Sequence, residues 1–137
     1  MFEKLPRHPR IRRFLMDIFR RGRFMRDRYR DAGYTACEVR GIKLLREWLS
    51  PQQLAQFNKY RYFEVTGCHT GRRYRIRYGQ VSNILELDSH GHPKTGWCVV
   101  PDERLVAGDV MLAQKIGLET DELAALAVAR PFRPIWH

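Results

Sequence analysis

In YFEVTGCHTGRRYRIRY, residues 62–78, apolar residues recur at every second position, the period of a strand and not of a helix. Phe63 and Val65 share one face of the first run. In the second, Tyr74, Ile76 and Tyr78 share one face, while Arg73, Arg75 and Arg77 share the other. Cys68-His69-Thr70-Gly71 joins the runs, so the segment reads as a β-hairpin.

Downstream, residues 83–88 give a third strand with Leu85 and Leu87 on one side. Ser89-His90-Gly91-His92-Pro93 is a turn by composition, and residues 95–100 give a fourth strand stopped by Pro101. A helix is expected from Gly108-Asp109, carrying Val110, Leu112, Ala113 and Ile116 and broken by Gly117. Thr120 then serves as the expected N-cap of a second helix, with Asp121 and Glu122 in its first turn. That helix runs through Leu123, Leu126 and Val128 to Pro131.

Upstream, Ser50-Pro51-Gln52-Gln53 is a helix start. Serine accepts from the third backbone amide, proline is pre-set for the first helical position, and glutamine reaches back to the serine amide. Leu49 and Leu54 are spaced for a hydrophobic staple, and the helix should end near Tyr60. Before it, Val39, Ile42, Leu45 and Leu49 predict a buried stripe on a helix over 38–48. Earlier still, Ile11, Phe14, Leu15, Ile18, Met25 and Tyr29 make one face of a helix ending near Ala32-Gly33, and arginines occupy the rest. The expected architecture is therefore α+β, a four-stranded antiparallel meander flanked by N-terminal helices and two C-terminal helices. Residues 1–36 form a basic amphipathic helical arm, and residues 37–137 a compact α+β domain.

The 137 residues, 44% of them hydrophobic, suffice for a packed core without disulfides or metals. Charge is spread unevenly over this chain of net charge +10 and pI near 10.1. Residues 1–46 hold 14 Lys/Arg against 5 Asp/Glu, residues 47–78 hold 6 against 2, and residues 79–137 hold 5 against 8. A basic front on a mildly acidic body implies an anionic partner. Cys37, Cys68 and Cys98 are odd in number and widely spaced, which suits a reducing compartment. Arg12, Arg13, Asp17 and Arg20 interrupt the apolar stretch near the N-terminus, so neither a membrane span nor a signal peptide is expected there. A cytoplasmic protein is the resulting expectation.

Chemistry-bearing clusters are sparse. Cys68, His69, His90, His92 and Cys98 lack the close spacings of zinc ligands, and Cys98 follows Trp97 inside an apolar strand. A nucleophilic set drawn from Cys68, His69 and Asp88 has no selecting pattern, and no glycine-rich phosphate loop or nucleophile elbow is present. No catalytic residue, metal or cofactor is expected.

Leu49-Ser50-Pro51-Gln52-Gln53, Tyr62-Phe63-Glu64-Val65, Thr70-Gly71-Arg72-Arg73-Tyr74-Arg75-Ile76, Trp97-Cys98 and Asp109-Val110-Met111-Leu112-Ala113-Gln114-Lys115 form a spaced set of blocks. Over about residues 44–129 the chain resembles a family of small uncharacterised bacterial proteins. The resemblance implies one compact unit spanning hairpin and tail helices, and it brings no activity, cofactor or catalytic residue. The arginine-rich residues 1–35 lie outside it.

The sequence thus predicts a non-enzymatic basic binding module associating with nucleic acid or a nucleoprotein. Arg12, Arg13, Arg20, Arg21, Arg23, Arg26, Arg28 and Arg30 would contact phosphates, with Arg73, Arg75 and Arg77 as a second patch. Tyr29 or Tyr34 would stack on any base touched. The alternative is a subunit or adaptor of a larger assembly. There Ile11, Leu15, Ile18 and Met25 would dock in a partner's groove, and the arginines would face an acidic protein surface. A membrane surface is a weaker expectation, since Phe19 and Phe24 lie away from the apolar centre occupied by Phe14.

Overall fold

A computed structural model describes residues 34–100 and 105–135. In chain order the elements are α1 (Tyr34–Trp48), α2 (Pro51–Tyr60), β1 (Tyr62–Thr66), β2 (Arg73–Arg77), β3 (Ile84–Leu87), β4 (Pro93–Cys98), α3 (Ala107–Thr120), α4 (Glu122–Ala127) and β5 (Arg130–Phe132). The strands form one sheet in the order β1-β2-β3-β4-β5, each neighbour antiparallel. The α+β class holds, but the meander has five strands and not four. β5, which the sequence does not predict, straddles Pro131, where the tail helix is expected to stop. Three residues around Pro131 are too short to show a period, and only pairing with Gly96, Trp97 and Cys98 makes them a strand.

Alternation places Phe63, Val65, Tyr74 and Ile76 on the inner face of the hairpin, where all four are buried. They join Leu45, Phe57, Ile84, Met111, Leu112, Ile116 and Leu118 in the core. α3 supplies much of it, packed against α1 and against β1 and β2. β3 is buried on both faces. Leu85 stands beside Gly96 in register, and the Phe132 ring occupies the space above Gly96 that a side chain would fill, so the tail covers this outer side of the sheet. An aromatic ring over a strand glycine is a recurrent solution to that gap.

The capping box forms as the sequence predicts. Gln53 N–H donates to Ser50 Oγ at 3.2 Å, and Ser50 N–H donates to Gln53 Oε1 at 3.1 Å. Other boundaries move. α1 begins at Tyr34, ahead of the helix over 38–48 that the sequence predicts. Its buried row centres on Gly41 and Leu45, and Val39 is 62% exposed. The reason is a close crossing: a β-carbon on Gly108 would lie 2.2 Å from the carbonyl carbon of Gly41. α1 and α3 thus meet backbone to backbone, and that contact sets the rotation of α1.

α3 continues through Gly117 to Thr120, because Ile116, Gly117 and Leu118 are all buried and packing outweighs the glycine penalty of about 1 kcal/mol. Thr120 is not the cap. Its hydroxyl donates to Ile116 O within α3, and Asp121 caps α4 by accepting from Ala124 N–H. β4 starts at Pro93, two residues earlier than expected, across an irregularity opposite Glu86/Leu87. No helix among the described residues is long and apolar enough to cross a membrane.

Candidate functional site

The outer face of β1 and β2 carries Tyr62, Glu64 and Thr66 opposite Arg77, Arg75 and Arg73. Two glutamines of α2 fix this edge. Gln53 Nε2 donates to Glu64 O at 2.9 Å and Gln56 Oε1 accepts from Glu64 N–H at 3.0 Å, so the outermost strand offers no bare backbone at that residue. Held there, Glu64 receives Arg73 at 2.9 Å and Arg75 at 3.2 Å. The Arg75 guanidinium also lies 4.4 Å from the Tyr62 ring centroid, a cation–π contact, and its Nε is buried without a hydrogen-bond partner. One carboxylate thus stands among three arginines on these two strands. Arg73 keeps nearly half of its side chain exposed.

At the start of β1 the chain turns sharply. Arg61 takes the left-handed conformation, φ 62° and ψ 26°, at a helix C-cap where glycine is usual. A residue with a β-carbon is disfavoured there by of order 1 kcal/mol. Three contacts hold it: its N–H donates to Phe57 O, Tyr78 N–H donates to its carbonyl, and its guanidinium sits 4.5 Å from the Tyr78 ring centroid. The turn brings Tyr60 and Tyr62 into a parallel stack, centroids 5.2 Å apart and planes 10° apart. Tyr60 is 51% exposed, and Lys59 Nζ lies 4.9 Å from its ring centroid.

A different cluster closes the opposite end of the hairpin. Glu122, fully buried, accepts from His69 N–H at 3.0 Å, Thr70 N–H at 2.8 Å, Thr70 Oγ1 at 2.5 Å and Tyr74 OH at 2.5 Å. Burial pushes its carboxyl up, but the bonds from Thr70, Tyr74 and the amides outweigh that and hold it below the ordinary value. Burial, and then the bond to Glu122, pushes the Tyr74 phenol well above its usual range. Cys68 Sγ accepts from Glu122 N–H and His69 Nδ1 accepts from Leu123 N–H. These groups are occupied in tying the hairpin turn to α4, so the cluster is a clasp and its carboxylate has no lone pair presented to a substrate.

The remaining candidates separate. Asp88 Oδ1 accepts from His90 N–H at 2.8 Å and His92 N–H at 3.0 Å, which fixes the β3–β4 turn and lowers the Asp88 pKa. Asp88 therefore serves its own turn, while Cys68 and His69 serve the clasp. Among the described residues no group of three His, Cys, Asp or Glu side chains is placed to hold a metal ion. Cys98 is half-buried. Arg12, Arg13, Arg20, Arg21, Arg23, Arg26, Arg28 and Arg30, the stripe Ile11, Leu15, Ile18 and Met25, and Tyr29 lie outside the described residues. Sequence reasoning missed Tyr60 and Tyr62. Their i, i+2 spacing across a helix end was the available signal, but only the Arg61 backbone makes it a stack. No protein-family model, curated protein or solved structure matches the chain.

Proposed function

We propose that this protein is a non-enzymatic nucleic-acid-binding module that places the outer face of its β1–β2 hairpin against a phosphate backbone. The observation that supports this is the row of Arg73, Arg75 and Arg77 along one face of β2, of which Arg73 and Arg75 meet Glu64, the one carboxylate that β1 and β2 carry. Arginines spaced along one side of a β-ribbon track phosphates and release counterions without reading sequence. The eight arginines of residues 11–30 add a second set of phosphate contacts in this reading.

Titration of the full chain into a fluorescent oligonucleotide at rising salt tests it. Affinity should fall at least about tenfold between roughly 50 and 200 mM salt. Arg73→Gln together with Arg77→Gln should flatten the slope of log K against log salt by up to about two. Absence of binding at low salt, or a slope that the double variant leaves unchanged, overturns the assignment of this face.

A further inference from the structure

We infer that the stacked Tyr60–Tyr62 pair is a platform for an unpaired nucleobase, so that the ligand of the basic face is single-stranded nucleic acid and not duplex. This rests on the nucleic-acid reading above and adds the class of ligand to it.

Several observations converge. The two rings are parallel and in contact, so Tyr60 is held flat by Tyr62 and half of it still faces solvent. A base stacking on Tyr60 extends a column that already exists, and little side-chain freedom is lost in the process. The column continues into the basic face, because the Arg75 guanidinium lies over Tyr62 and Arg75 shares Glu64 with Arg73. Lys59, an exposed residue, lies over Tyr60. Displaced by a base, its ammonium remains within reach of the adjoining phosphate. The stack also depends on the left-handed backbone of Arg61, which turns the chain between the two rings and is held by its contacts with Phe57 and Tyr78. In a duplex the faces of the bases are covered by their neighbours, and a ring at the surface has nothing to stack on. An unpaired strand presents those faces.

The full chain should be measured against a short mixed-sequence single strand, the same sequence as duplex, and inorganic polyphosphate, at one salt concentration. The wild type should prefer the single strand. Tyr60→Ala should weaken single-strand binding by roughly 5- to 100-fold while leaving duplex and polyphosphate binding unchanged. Tyr60→Phe, which keeps the π-face, should restore it. Melting curves for each variant confirm that the fold is intact. If Tyr60→Ala binds the single strand as well as wild type does, or weakens all three ligands equally, the platform is refuted, whereas the basic face survives if Arg73→Gln/Arg77→Gln still weakens binding. Wild-type binding to polyphosphate alone, with neither nucleic acid, refutes both.

Discussion

A β-carbon on Gly67 would lie 2.2 Å from the carboxyl carbon of Glu122. The absence of a side chain at residue 67 is what lets the carboxylate reach the amides of His69 and Thr70. Gly67 itself is pinned in a tight turn, its N–H donating to Arg72 O and Gly71 N–H donating back to its carbonyl. Gly67→Ala must therefore displace either the turn or the carboxylate, with loss of several charge-assisted bonds. The expected cost is at least about 3 kcal/mol, read as a lower urea midpoint. A variant within about 1 kcal/mol of wild type contradicts the clasp.

The same carboxylate sets a pH dependence. Glu122 titrates below its ordinary 4.5 when folded. A depressed carboxyl contributes stability that is fully present above the unfolded pKa and lost as pH falls through the folded one. Wild type should therefore lose stability on acidification below about pH 4.5, and Glu122→Gln should lose less over that interval. At neutral pH the Gln variant should already be weaker by about 2–4 kcal/mol, because an amide cannot accept from all four donors. Asp88 is depressed too and titrates in the same direction, so Asp88→Asn is the comparison that assigns the effect. Parallel acid profiles for wild type and Glu122→Gln count against the assignment.

Two glycines of α3 should respond oppositely to alanine. At Gly108 the added carbon meets the Gly41 carbonyl carbon and oxygen and the Ile42 nitrogen, all at 2.5 Å or closer, and backbone cannot rotate away. At Gly117 it meets only the Ala125 methyl at 3.3 Å. Helix propensity favours alanine at both by about 1 kcal/mol. Gly108→Ala should thus fall below Gly117→Ala by at least about 2 kcal/mol in denaturant unfolding, since separating α1 from α3 opens the core beneath them. Equal stabilities contradict the close crossing.

What could be read from sequence divides along the range of the interactions. The Ser50–Gln53 box and the alternation of Phe63, Val65, Tyr74 and Ile76 are local, and both form as written. Gly117 looks like a helix breaker only if the helix is judged alone, and burial of α3 on most of its circumference reverses that judgement. Val39 fits the apolar period of α1 but turns outward, since Gly41 must face Gly108 across the crossing. Glu122 looks like an ordinary first-turn acid, and its four donors come from residues about fifty positions earlier. The arginine alternation of β2 was visible at once, whereas the carboxylate that joins Arg73 to Arg75 required the register of β1.

Glu64→Gln separates a structural role for those arginines from a binding role. As a purely structural centre, Glu64 fixes Arg73 and Arg75, and its loss should loosen the face and weaken any binding that depends on it. As the lone negative charge beside a phosphate track, it opposes the ligand, and its loss should help. The amide keeps the backbone bonds to Gln53 and Gln56, so β1 stays anchored. Arg75 would retain its place over Tyr62. The pair with the half-exposed Arg73 is worth no more than about 1 kcal/mol, and the part-buried Arg75 can still donate to the amide oxygen, so the variant should fold. Nucleic-acid affinity at low salt should rise about two- to fivefold, and the salt slope should steepen by no more than about one, as Arg73 is left to the phosphates without a competing carboxylate. Anisotropy titrations of wild type and Glu64→Gln over a salt series read both quantities together. Lower affinity with an unchanged slope makes the Arg73–Glu64–Arg75 arrangement a brace on which binding depends, whereas affinity and slope both equal to wild type remove the outer face from the binding surface.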